Sequence, residues 1–166
     1  MPNNDFPRGL WAVRSLSGGE IRTGKYIAAT SATIYMGDVV TMQSNGTVQV
    51  AQAGDTAIGV ASEYKATTTS GVEILVYDDP NIVFGVQATT AAATDVGANA
   101  GILATTGNTT TKVSKHELNG STITPNAAEL RIMGKINTPD NDWGADVKLE
   151  VMITDHFYRG RSSTGV

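Results

Sequence analysis

The stretch Val72-Glu-Ile-Leu-Val-Tyr-Asp-Asp-Pro-Asn-Ile-Val-Phe-Gly-Val-Gln87 decides the fold class. Its two ends, 72–77 and 82–87, are short β-branched and aromatic runs, the length of strands rather than helices. Between them Asp78, Asp79, Pro80 and Asn81 form a structural turn. Asp and Asn side chains bond their own backbone there, and proline fixes φ.

Outward from this unit the same grammar repeats. Upstream, 57–61 reads as a strand after the Gly54-Asp55 break, and 38–43 and 47–50 flank Ser44-Asn45-Gly46. Asn45-Gly46 predicts a type I′ hairpin, because both residues tolerate positive φ. The run 10–16 alternates, with Trp11, Val13 and Ser15 on one face and Leu10, Ala12, Arg14 and Leu16 on the other; 21–27 alternates less cleanly. Downstream, 130–136 is a strand candidate after Ala127-Ala-Glu129, which could open a helical turn. Thr138–Asp142 is a turn, and Val147, Leu149, Val151 and Ile153 alternate with Lys148, Glu150 and Met152, the signature of a half-buried strand. Residues 88–112, dominated by Thr, Ala, Gly and Asn, read as a long surface excursion or irregular edge strands. No run of about ten residues holds helical spacing, and turn signals recur about every 8–12 residues through the middle. The expectation is an all-β protein, an antiparallel β-barrel or sandwich with a long Thr/Gly/Ala-rich loop. An extended N-terminal arm (1–9, interrupted by Pro2 and Pro7) precedes a single β-rich domain (10–158), and a C-terminal tail (159–166) follows it.

Composition narrows the function classes. The chain has 166 residues, 12 Lys+Arg against 16 Asp+Glu for a net charge of −4, and no cysteine. That excludes disulfide scaffolds, thiolate metal sites and cysteine nucleophiles. It also argues against binding nucleic acid, whose phosphates call for clustered Lys/Arg. The 18 glycines and 22 threonines with only 17% charged residues suit short strands and many turns. The N-terminus lacks an apolar signal-peptide core, and no run approaches the roughly 18 apolar residues of a membrane span, so no membrane partner is expected.

Several motifs invite a chemical reading. Gly19-Glu-Ile-Arg-Thr-Gly24-Lys25 matches the P-loop spacing, and a nucleotide site would depend on Lys25. However, Tyr26 stands where a magnesium-binding Ser or Thr belongs, and no helical pattern follows. Asp140-Asn-Asp-Trp-Gly-Ala-Asp146 begins like a calcium loop, but its glycine falls one position early and the closing glutamate is missing. His116 and His156 have no serine motif to serve. Asn45, Asn108 and Asn119 head acceptor triplets for glycosylation, which without a secretory signal read as turn residues. No catalytic, cofactor or metal residue is therefore assigned, and no cofactor is expected.

The aromatic residues are more suggestive. Phe6 with Arg8, Trp11 with Arg14, and Phe157 and Tyr158 with Arg159 and Arg161 place aromatic–arginine pairs at both ends of the chain. Interfaces are enriched in such anchors, which makes these eight residues candidates for docking to neighbours.

The order of motifs resembles the cement, or decoration, proteins of tailed-bacteriophage capsids. The resemblance begins with Pro7-Arg-Gly-Leu-Trp-Ala-Val-Arg14 and Leu16-Ser-Gly-Gly19. Gly37-Asp-Val-Val-Thr41, Ala53-Gly-Asp-Thr-Ala-Ile-Gly-Val-Ala61 and Val76-Tyr-Asp-Asp-Pro-Asn-Ile-Val-Phe84 follow. Asp95-Val-Gly97, Leu130-Arg-Ile132, Pro139-Asp-Asn141 and Val147–Tyr158 complete it, across nearly the whole chain. The short Tyr64–Gly71 segment and Thr111-Lys-Val-Ser114 depart from the family pattern. The resemblance implies a non-enzymatic β-rich protein on the outer face of the virion capsid. Its partners would be the major capsid protein and further copies of itself, as dimer or trimer. A second expectation is a phage-borne β-module binding a host-surface glycan, with Trp143 beside Asp140–Asp142 as its aromatic platform.

Overall fold

Alternation and turn chemistry produce strands and almost no helix. The computed structural model describes residues 3–68 and 71–159. The chain runs through β1 (Trp11–Ser15), β2 (Gly24–Ala28), β3 (Thr33–Ile34), β4 (Val39–Met42), β5 (Thr47–Val50), β6 (Ala57–Ala61), β7 (Lys65–Ala66) and β8 (Glu73–Tyr77). It continues through β9 (Ile82–Gln87), β10 (Thr90–Ala91), β11 (Asn99–Ala100), β12 (Ile102–Leu103), β13 (Glu117–Leu118), β14 (Leu130–Lys135), β15 (Gly144–Ala145) and β16 (Lys148–Ile153). The helical segments described are two 3-10 turns, Ala93–Asp95 and Gly120–Thr122, so Ala127–Glu129 opens no helix.

The all-β expectation holds as a barrel joined to a sheet. β2, β5, β4, β6 and β8 close into a small barrel, antiparallel at every pair except β2–β5. β1, β9, β16, β14 and β11 form an antiparallel sheet in that order. The Asp78–Asn81 turn is the crossing between the two, since β8 belongs to the barrel and β9 to the sheet. Its chemistry is as read: Asp79 Oδ1 accepts from the Asn81 N–H (2.8 Å) and Nδ2 (3.1 Å).

The two units share one wall. A bulge at Ile58 breaks strict alternation along β6: Ile58 and Ala61 fill the barrel with Val40, Val48, Ile74 and Val76, while Ala57 and Val60 face the sheet. There they meet Ile82, Phe84, Val86, Leu149, Val151 and Ile153, so β6 is buried from both sides and β9 along this face. Removing these side chains from water, at about 25 cal/mol per Å² of apolar surface, is what holds barrel to sheet.

Three local readings change. The Asn45-Gly46 hairpin has a three-residue loop rather than a type I′ turn. Gly46 N–H donates to Gln43 O (3.0 Å), Gln43 N–H donates to Thr47 O (2.8 Å), and in this turn only Gly46 has positive φ (81°). In β1 the register shifts between Ala12 and Arg14, which breaks the expected alternation and leaves Val13 exposed. Of the two readings of 88–112, irregular short strands hold and the single long excursion does not: the segment is pinned by short ladders. Ala88, Asn99, Ala100 and Ile102 are buried, and Asn99 Nδ2 donates to Asn126 O (2.9 Å).

The N-terminal arm is fastened to the body. Asn3 Nδ2 donates to Asp142 O and Ala145 O (both 2.7 Å), and its Oδ1 accepts from the Asp142 N–H (2.9 Å). The Phe6 N–H donates to Gln87 Oε1 at 3.1 Å. The arm thereby covers the outer side of β9, whose Gln87 is buried.

Candidate docking site

Where the arm crosses the barrel, two glycines let the backbones touch. Gly9 (φ 71°) lies against Gly37 O and Ser114, and the Leu10 N–H donates to Gly37 O at 2.9 Å. A Cβ at Gly9 would collide with both neighbours. Just before this crossing Phe6 stands 67% exposed, and the Arg8 guanidinium lies 4.1 Å over the Trp11 ring. Trp11 in turn lies flat on Gly85 of β9, where any side chain would strike the indole. Three of the four N-terminal anchors are thus brought together. Arg14, the fourth, is turned to Glu150 across β9, with Nη1 2.6 Å from Oε2.

A cleft of about 670 Å³ opens beside this cluster, between sheet and barrel. The arm and Trp11 form one wall, and Met36, Tyr77 and Val113 contribute apolar surface. The opposite wall, with Thr111, Val113, Ser114 and Lys115, is held on the barrel rim by two backbone bonds, Met36 N–H to Lys112 O (3.3 Å) and Ser114 N–H to Met36 O (2.9 Å). Tyr35 packs against Tyr64 (5.4 Å between ring centres), and Lys112 Nζ caps Tyr64 at 4.8 Å.

Beneath that wall lies a buried Asp38–His116–Ser114 group. Asp38 Oδ2 accepts from the Tyr35 N–H (2.8 Å), and the Ser114 hydroxyl also bonds the carboxylate. His116 Nδ1 accepts from the Val39 N–H (3.3 Å), so the neutral ring carries its proton on Nε2, facing Asp38 Oδ1 at 3.5 Å. Burial pushes Asp38 up to about 6 and His116 down to about 4, each resisting its charged form. The group ties the cleft wall, through Ser114, to β4.

The C-terminal candidates gather on the Asp78–Asn81 turn. Tyr26 Oη donates to Asp78 Oδ2 (2.7 Å) and takes the Tyr158 hydroxyl (2.9 Å), while Arg159 Nη2 donates to Asn81 Oδ1 (2.6 Å). Burial and these bonds raise the Tyr26 phenol far above its ordinary value. Phe157 is 52% exposed, with its N–H bonded to Ala57 O, and Arg161 lies outside the described residues. His156, just past the end of β16, is buried. Its Nδ1 accepts from the Tyr158 N–H (3.1 Å), and burial, then the Arg159 charge, lowers it to about 4. The N- and C-terminal sets stand toward opposite ends of β1: Trp11 begins the strand, and the Leu16 N–H just past its end donates to Asn81 O.

The remaining motifs resolve structurally. Gly24 and Lys25 open strand β2 rather than a helix, and Lys25 Nζ lies 3.6 Å from Glu73. In the calcium-like loop, Asn141 is buried and spends its amide on backbone. Asp146 instead joins Asp5 and Glu117, whose carboxylate oxygens lie within 4.8 Å of one another, the grouping that could hold a cation. Burial, then the charges of Asp5 and Asp146, raises Glu117 above the ordinary range, while a bond from Gln87 opposes this. Trp143 is half-buried and packs on the core. Met36, Lys112, Val113 and Lys115 carry no motif, and only their long-range pairing brings them to the arm. No protein-family model, curated protein or solved structure matches the chain.

Proposed function

We propose that this protein is a structural cement protein that docks on the outer face of an assembled capsid shell of the tailed-bacteriophage type. It would span joints between adjacent capsomers without catalysing a reaction. The observation that carries this reading is the arm. Phe6 and the Arg8–Trp11 stack are presented at the rim of an apolar cleft, on a backbone already fastened to the body. Aromatic and arginine anchors beside a pocket are what interfaces use, and an arm fixed in advance loses little entropy on docking. The resemblance of motif order supplies the partner, the major capsid protein. A net charge of −4 suits a protein held outside a DNA-filled shell. Neighbouring copies, as dimers or trimers, would add avidity, because each bound copy raises the local concentration of the next contact.

The test is co-sedimentation with shells assembled from the major capsid protein. The wild type is expected to pellet with shells, and a chain beginning at Gly9, together with Phe6→Ala/Arg8→Ala, to pellet much less. Truncation stops there because Leu10 is buried and β1 pairs with β9. Undiminished attachment of both variants, or no attachment of the wild type, overturns the reading.

A further inference from the structure

We propose that the cleft beside the arm seats an extended, acidic and apolar segment of the partner protein. This rests on the docking reading for the source of the segment. The charge argument is local. Arg14, Lys25 and Lys65 each have a carboxylate within ion-pair distance, at 2.6, 3.6 and 3.3 Å. Arg8 and Lys115 line the cleft, and Lys112 stands between the lining residues Thr111 and Val113; none of the three has such a partner among the described residues, in a chain whose acids outnumber its bases by four (16 − 12). Two of these three cations are held over aromatic rings, Arg8 on Trp11 and Lys112 on Tyr64. Ring contacts of this kind orient a cation while leaving its hydrogen-bond donors available. Asp5 is the carboxylate that lines the cleft, and it is engaged by Gln87 Nε2 at 3.2 Å.

The shape argument points the same way. The walls between the cations are apolar, with Trp11, Met36, Tyr77 and Val113, and a volume of about 670 Å³ takes a few side chains rather than a folded element. β1 is an edge strand of the sheet, and its Trp11 and Ala12 line the opening, so an extended segment entering there meets a strand with one unpaired side. Acidic side chains of such a segment would meet Arg8 and Lys115, and its apolar ones the wall between them. A nucleic acid would offer phosphates but no side chains for the apolar surface.

The experiment measures fluorescence anisotropy of three labelled probes with the whole protein: a capped peptide of alternating glutamate and valine, its lysine–valine counterpart, and oligothymidylate. The glutamate peptide should bind best and weaken as salt rises. Arg8→Glu/Lys115→Glu should lose about tenfold or more in that affinity and gain for the lysine peptide, and Lys112→Ala should lose less. Thermal melts of the variants confirm folding. Equal binding of the two peptides, preference for oligothymidylate, absence of binding, or an unaffected charge-reversed variant overturns the inference. Shell co-sedimentation runs separately. Attachment of wild type and charge-reversed variant alike leaves the cement reading standing without this cleft. Peptide binding in the expected order with no shell attachment rejects the cement reading and keeps the cleft's preference.

Discussion

Asn141 is buried at the mouth of the β14–β16 hairpin, and replacing it with alanine removes three hydrogen bonds at once. Its Nδ2 donates to Ile136 O (2.7 Å) and Lys148 O (2.8 Å), and its Oδ1 accepts from the Lys148 N–H (2.8 Å). The losses are unequal. Ile136 O also takes the Thr138 N–H, and Lys148 O takes the Ile136 N–H, so each carbonyl keeps a partner. For these two the cost is about 0.5–1.5 kcal/mol each. The Lys148 N–H is left without its side-chain acceptor in a buried hairpin end, at about 1–3 kcal/mol. The sum is about 2–6 kcal/mol, a large part of the ~5–15 kcal/mol typical of a domain. At about 2–4 °C per kcal/mol for a chain of this size, a central loss of about 4 kcal/mol lowers Tm by about 8–16 °C. Urea melts followed by circular dichroism measure it. Asn141→Asp supplies a second check, because it keeps the acceptor for Lys148 N–H but sets a carboxylate oxygen against two carbonyls. Its folded-state pKa should be raised, so its stability should recover as pH falls below that value and be lost as pH rises through it. A loss below about 1 kcal/mol for Asn141→Ala at unchanged m-value would refute the reasoning.

The buried pair predicts opposite pH slopes in two variants. Between about pH 4 and 6 the native chain holds one proton on Asp38, and the unfolded chain holds one on His116, so the wild-type pair contributes almost no slope. His116→Phe leaves Asp38, raised in the fold, whose contribution is present at low pH and lost as pH rises through about 6. Asp38→Asn leaves His116, lowered in the fold, whose contribution is present above its ordinary 6.5 and lost as pH falls through about 4. Chemical melts across this range should show slopes of opposite sign, and parallel slopes would reject the assignment. Asp146→Asn keeps a residue that tolerates its left-handed φ of 58° and removes one of three clustered carboxylates. A gain of a few tenths to about 1 kcal/mol is expected in thermal melts, with a loss counting against charge repulsion there. Tyr26→Phe removes the bonds to Asp78 and Tyr158, and hydrogen exchange should quicken in 155–159 while the β16 amides stay protected.

Strands were legible wherever one side chain in two had to be buried. Val147, Leu149, Val151 and Ile153 sit in the core as their spacing requires, and β6 and β9 span the residues that their β-branched runs mark. What alternation cannot encode is the partner on the other side. β6 reads as one short apolar run, yet its two faces serve two cores, because the chain crosses from barrel to sheet at Asp78–Asn81. The 88–112 segment was obscure for the converse reason. Its threonines and alanines have little local preference, and its order comes from distant groups such as the Arg131 Nε donor to Asn99 Oδ1 (3.0 Å).

The candidate site divides along the same line. The anchors Phe6, Arg8 and Trp11 were legible because they lie close together in sequence, whereas the surface that gives them a cleft comes from a segment about a hundred residues away. That segment is placed by pairing of Lys112 and Ser114 with Met36 and by Lys112 over the Tyr64 ring. The C-terminal anchors Tyr158 and Arg159 were legible as residue types but not as partners of the turn, since their bonds to Tyr26 and Asn81 reach back 132 and 78 residues. Those bonds bear on what the two ends can do. Tyr158 and Arg159 already have internal partners, so using them to dock would require breaking bonds to Tyr26 and Asn81. Among the described residues Arg8 has no ion pair to break, and its stack on Trp11 survives contact with a carboxylate. On that accounting the arm end, and not the tail end, is where a partner gains most by binding.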